Sequence, residues 1–142
     1  MKENEEKYFI DTNVLVYAHD SRYPDKQAKA QGIIFDGLRL GVSVTSTQVL
    51  SEFFVTITQK IKKPLSLEKA KKEIILLSNM EIVEVDVPVI MKAIEMKQKY
   101  KTSYWDSLIL SAAQRSGCGR LYSEDFSDNQ KYGSVKVLNI LK

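Results

Sequence analysis

Short apolar runs that stop abruptly at polar residues, each followed by a longer stretch of helical periodicity, constrain this chain more than any other feature. Tyr8-Phe9-Ile10 ends at Asp11 and reads as a buried strand. Val42-Ser43-Val44, Ile82-Val83-Glu84-Val85, Leu121-Tyr122 and Val135-Val137-Leu138 read the same way. Between them, residues 13–20 form a helical turn or two. Residues 25–40 carry Ala28, Gln31, Ile33, Ile34 and Leu38 at helical spacing, with Gly41 as a stop. Thr45, with Gln48 three residues on, reads as a capping box for a helix whose stripe is Leu50, Phe53, Phe54, Ile57 and Ile61, ended by Pro64. Ser66 caps a helix to about Ser78, Pro88 opens one to about Lys99, and Ser103 caps one from Tyr104 to Ser116, closed by Gly117 and Gly119. The Trp and Met residues read as core. Strands alternating with helices imply a three-layer α/β/α sandwich around a mainly parallel sheet, with residues 1–142 as one domain.

Cysteine and histidine usage narrows the chemistry. One Cys and one His cannot build a zinc site or a disulfide framework, so a side-chain metal site rests on oxygen ligands, which means Mg²⁺, Mn²⁺ or Ca²⁺. Cys118, between two glycines, and His19 have no arrangement that supports nucleophilic catalysis. The net charge of +3 is too small to imply a nucleic-acid partner by itself. No apolar run is long enough to span a membrane, and the polar stretch Lys2 to Lys7 is unlike a signal peptide. A cytoplasmic setting is the expectation.

In an open α/β sheet the ligand crevice lies outside the carboxyl ends of the strands. Asp11 and Asp125 each follow a strand candidate and belong on that edge; taken singly, each is first read as a helix-capping or turn acid. Asp106 lies three residues after Ser103 and fits a capping box. It also borders the stripe Trp105, Leu108, Ile109, Ala112, where an unpaired carboxylate is costly and a metal would offset that cost. Glu52 lies nearly opposite its helix's apolar stripe and by periodicity alone is a solvated glutamate, although Val49 and Val55 interrupt that face.

Taken together, the motifs resemble a known family. Phe9-Ile10-Asp11-Thr12-Asn13-Val14-Leu15 looks like the opening of a PIN domain. Thr47-Gln48-Val49-Leu50-Ser51-Glu52-Phe53 resembles its second motif and Ser103-Tyr104-Trp105-Asp106-Ser107-Leu108-Ile109 its third. The fourth is matched by Leu121-Tyr122-Ser123-Glu124-Asp125-Phe126-Ser127-Asp128. The acids are spaced by 41, 54 and 19 residues, and the resemblance runs from about Lys7 to the C-terminus. It is nearest the prokaryotic PIN-domain ribonucleases of the VapC toxin type. The chain departs from the family's common Asn-Pro-aromatic or Asn-Pro-Leu ending, having Asn139-Ile140-Leu141 instead.

The resemblance implies a metal-dependent endoribonuclease that leaves a 5′-phosphate and a 3′-hydroxyl. Asp11, Glu52, Asp106 and Asp125 would be its catalytic acids. Asp11, Asp106 and Asp125 would hold Mg²⁺ or Mn²⁺, while Glu52 positions or deprotonates the attacking water. Asn13, Ser123 and Asp128 would support the site, and Glu124 stands beside Asp125 as an alternative fourth acid. Lys97, Lys99 and Lys101 are candidate RNA contacts, against the ordinary reading of a solvated helix face. The implied partners are an RNA substrate, a small antitoxin protein and a second copy of the chain, with the apolar hairpin around Pro64 as interface. The competing readings are a non-catalytic RNA- or protein-binding module on the same fold and, further off, an aspartate phosphotransfer fold. The latter would need D-x-D after the first strand, where position 13 is Asn.

Overall fold

The computed structural model describes residues 6–139 and 141–142. The elements are β1 (Tyr8–Ile10), α1 (Thr12–Tyr17), α2 (Pro24–Leu40), β2 (Ser43–Ser46), α3 (Thr47–Gln59), α4 (Leu67–Leu77), β3 (Glu81–Val83), α5 (Val87–Tyr100), α6 (Tyr104–Arg115), β4 (Arg120–Tyr122), β5 (Lys131–Tyr132) and β6 (Val135–Leu138). The sheet order is β3-β2-β1-β4-β6-β5. Every pairing is parallel except β5 against β6. The expected mainly parallel sheet with flanking helices is the one observed.

The chain moves outward from β1 to β2 and β3, then returns to place β4 on the other side of β1. That reversal between β1 and β4 is a topological switch point, where adjacent connections diverge and leave a crevice at the strand ends. Right-handed crossovers put the helices of the two directions on opposite faces. In accord, α1 packs on α2 and α3, α3 packs on α4, and α5 packs on α6. Phe9, Ile10, Val44, Leu121 and Val137 fill the sheet's interior without solvent exposure beyond 1%.

Local chemistry explains the boundaries. Ser66, Asp86 and Ser103 cap α4, α5 and α6 through side-chain oxygens that accept from Lys69, Val89 and Asp106 backbone N–H groups. Gly41 ends α2 in the left-handed region, at φ 70°. Gly37 is required by a close approach: a Cβ there would sit 2.4 Å from Ser43 Cβ and 2.8 Å from the Tyr8 hydroxyl oxygen.

Several expectations are corrected. The cap of α3 is Ser46, whose hydroxyl accepts from Val49 N; Thr45 is buried inside β2 and donates to Ile10 O at 3.0 Å. The strand needs that extra residue because Ser46 still pairs with Val83. α3 stops at Gln59, before Pro64, and Leu65 N folds back onto Ile57 O at 2.8 Å. Val49 is buried core. Trp105 and Met91 are not core: they are 62% and 58% exposed. β5 had no signal in the sequence, being two residues that borrow their partners from β6.

Candidate active site

Asp11 begins the site because β1 delivers it to the switch point. Its backbone N donates to Tyr122 O at 3.1 Å, which pins the end of β1 to β4. Its Oδ1 accepts from Thr12 N at 2.7 Å, capping α1, and its Oδ2 accepts from the Ser123 hydroxyl at 2.7 Å. The carboxyl is buried, and burial is the main cause that pushes its pKa up to about 7. The Ser123 and Thr12 hydrogen bonds oppose that rise, whereas the charges of Asp125 and Glu52 add to it.

Ser123 and Asn13 tie the strand ends together. Ser123 Oγ also accepts from Asp125 N at 3.1 Å and lies 3.4 Å from the donating Asn13 amide. Asn13 Oδ1 in turn accepts from Glu124 N at 3.3 Å. These bonds set the turn after β4 and separate its two acids. Glu124 accepts from the Tyr17 hydroxyl at 2.9 Å and from Lys26 Nζ at 3.4 Å, so its charge is neutralised within a Tyr-Lys cluster. Asp125 is exposed, and its charge acts on both Asp11 and Asp106.

The other two acids arrive on helices. Asp106 lies in the first turn of α6, its backbone N held by Ser103 Oγ at 3.1 Å. Burial, against the Ser103 hydrogen bond and with Asp125, raises its pKa. Glu52 lies on the exposed side of α3, and its Oε1 accepts from Thr12 Oγ1 at 2.9 Å. α1 packs against α3, so the face of α3 opposite its buried stripe lines a cleft instead of open solvent.

Asp11, Glu52, Asp106 and Asp125 all line one cleft of about 720 Å³. None of the four forms an ion pair among the described residues. Four unneutralised carboxylates on one cleft are a donor set suited to a hard divalent cation. As the side chains stand, no three acidic, His or Cys groups among the described residues enclose an ion. Asp11 is fixed by its two hydrogen bonds, while Glu52 and Asp125 stand exposed on the same cleft. The Oε1 of Gln48, also in the cleft, is buried without a donor among the described residues.

Other candidates lie elsewhere. Asp128 accepts from Asn139 N at 2.8 Å and pairs with Lys142, which ties down the chain end; it does not line the cleft. Lys97, Lys99 and Lys101 are exposed at the C-terminal end of α5, where positive charge complements the helix dipole, and they too are outside the cleft. His19 sits against Phe53, and its Nε2 is 3.6 Å from Glu73. Cys118 is buried, which raises its thiol to about 11 and keeps it inert. Thr12, Gln48, Tyr17, Arg22 and Trp105 carry no site signal in the sequence. Thr12 is visible there only as the middle of Asp11-Thr12-Asn13.

The model of the PIN domain family matches residues 8–128. No curated protein matches the chain in sequence. Among solved structures, a chain of FitAB bound to an IR36 DNA fragment is similar, with a TM-score of 0.71 at 17% identity over 95% of this chain and 96% of that one. A chain of a toxin-antitoxin complex from Klebsiella pneumoniae gives 0.65 at 18% identity, over 91% and 95% of the two chains. VapC20 of Mycobacterium tuberculosis, a Sarcin-Ricin loop cleaving toxin, gives 0.59 at 15%, over 84% and 90%. At these identities the likeness is one of fold.

Proposed function

The chain belongs to the PIN domain family, and on that premise we propose that it is a divalent-metal-dependent endoribonuclease, the toxin of a toxin–antitoxin pair. The observation behind this reading is the convergence of Asp11, Glu52, Asp106 and Asp125, from four separate segments, on one cleft without a cationic partner. Leaving such charges together is costly unless a cation completes them.

Asp11, Asp106 and Asp125 would hold Mg²⁺ or Mn²⁺. When bound, such an ion supplies neutralisation of the phosphate oxygens and lowers the pKa of a water. Glu52, held by Thr12, orients the attacking water and accepts its proton. Water oxygen joins phosphorus as the bond to the 3′-oxygen breaks, and that oxygen takes a proton from solvent, leaving a 5′-phosphate and a 3′-hydroxyl. Ser123 and Asn13 position Asp11 and the turn that carries Asp125.

The toxin role draws support from fold neighbours solved as a toxin-antitoxin complex and described as a loop-cleaving toxin. An antitoxin partner and a cytoplasmic setting belong to the same proposal; no helix among the described residues is long and apolar enough to cross a membrane. A second copy is supported by exposed Leu67, Ile75 and Leu76 on α4, next to Pro64. The second reading, a non-catalytic binding module, is favoured by the absence of a preformed three-acid cage among the described residues.

Cleavage of a pool of structured RNAs with Mn²⁺, with Mg²⁺ and with EDTA separates the readings. The enzyme cleaves with metal and not in EDTA, and Asp106→Asn loses cleavage while keeping its melting temperature. Absence of both cleavage and Mn²⁺ binding establishes the binding module instead.

A further inference from the structure

The cleft is not uniform in charge. The four candidate catalytic acids gather toward the strand ends, whereas the two cationic side chains lining the cleft are Arg22, which Asp20 holds in the loop after α1, and Lys60, at the end of α3. The placement follows from the helices. α1 and α3 start at the carboxyl ends of adjacent parallel strands, and Thr12 of α1 touches Glu52 of α3. Eight residues along α3 from Glu52 stands Lys60, about 12 Å down the cleft at 1.5 Å per residue, while α1 ends at Tyr17 and the turn after it carries the opposite wall to Asp20 and Arg22.

Arg22 is held there by the loop that follows α1. Asp20, only 5% exposed, accepts from Arg22 N at 3.1 Å, from Nε at 3.0 Å and from Nη2 at 2.8 Å. The guanidinium also lies 5.4 Å from the centre of the Tyr23 ring. Its Nη1 has no hydrogen-bond partner among the described residues, and Lys60 has no ion pair there. One arginine fork is thus fixed with a donor to spare, and an unpaired lysine lines the same cleft.

We infer that Arg22 and Lys60 form a phosphate subsite for the RNA strand, at the end of the cleft remote from the four acids. The inference rests on the nuclease reading and adds the direction in which the strand runs: from the acids, between α1 and α3, toward Arg22 and Lys60. The subsite is too far from Asp11 to touch the scissile phosphate. It binds a backbone phosphate of a flanking nucleotide, so it contributes affinity without base preference.

The test is binding of a labelled random-sequence single-stranded RNA in EDTA, by anisotropy, over a series of NaCl concentrations. Each phosphate of a single strand that goes without its protein cation reduces the slope of log affinity against log salt by about 0.7. Lys60→Gln and Arg22→Gln each lower the slope by about that amount, while Lys92→Gln, exposed on α5 and outside the cleft, leaves it unchanged. Lys60 is exposed, so Lys60→Gln decides the matter even if Arg22→Gln, which strands Asp20, fails to fold. An unchanged slope in Lys60→Gln, an equal loss in Lys92→Gln, or no binding by the wild type overturns the subsite. The nuclease reading fails separately, on cleavage with metal, which this measurement does not use.

Discussion

The Ser123 hydroxyl donates to Asp11 Oδ2 across 2.7 Å, and through it the ends of β1 and β4 share one buried carboxylate. Ser123→Ala removes that donor and also the acceptor for Asp125 N. The expected loss is about 1–3 kcal/mol of stability, read by urea denaturation, together with a fall in metal-dependent cleavage. Unchanged stability and cleavage would mean that the hydroxyl does not hold the site.

Asp11 makes the metal-free protein pH-sensitive. Its pKa is raised by burial to about 7, so the fold prefers the protonated carboxyl. The stability this provides is complete below the ordinary carboxylate pKa and is lost as pH rises through 7. In EDTA, Asp11→Asn is therefore more stable than wild type at about pH 8, by on the order of 1–3 kcal/mol, and the difference closes toward about pH 4. Denaturation curves across that range check it; a variant less stable at every pH would show that the ionised group is fully satisfied.

Thr12→Val tests how Glu52 is aimed. The bond between Thr12 Oγ1 and Glu52 Oε1 is exposed, so its loss changes stability little. Cleavage falls about tenfold, the usual effect of removing a partner that orients a catalytic group. Activity equal to wild type would leave Glu52 without need of Thr12.

Two glycines of α2 are predicted to respond in opposite directions. Gly37→Ala drives a Cβ into Ser43 and the Tyr8 hydroxyl and is destabilising by about 1–3 kcal/mol. Gly32→Ala meets nothing within 4 Å and is stabilising by up to about 1 kcal/mol. Thermal unfolding of the pair reads both; the same sign in each would contradict the packing of α2 on β2.

Much of this was legible in the sequence, for physical reasons. Tyr8-Phe9-Ile10 and Leu121-Tyr122 are apolar at successive positions because both faces of a central parallel strand are covered. Ser66 and Ser103 were readable as caps because capping is a local event. Thr45 and Ser46 were not separable, because the choice between them is made by pairing with Val83 in a distant strand. Glu52 read as solvated because periodicity reports only that a face is polar, not that it lines a cleft beside α1. Trp105 read as core because the same apolarity serves a cleft rim. Glu124 and Asp125 were indistinguishable until Tyr17 and Lys26, remote in sequence, met one of them.

Those two neighbours give the most direct test. Metal-dependent RNA cleavage is compared in Asp125→Asn and Glu124→Gln, each checked for an unchanged melting temperature. Both line the cleft, but the charge of Asp125 acts on Asp11 and Asp106, while Glu124 is occupied by Tyr17 and Lys26. The account predicts that Asp125→Asn loses cleavage by orders of magnitude and that Glu124→Gln retains it near the wild-type level. Cleavage retained in Asp125→Asn and lost in Glu124→Gln would contradict it.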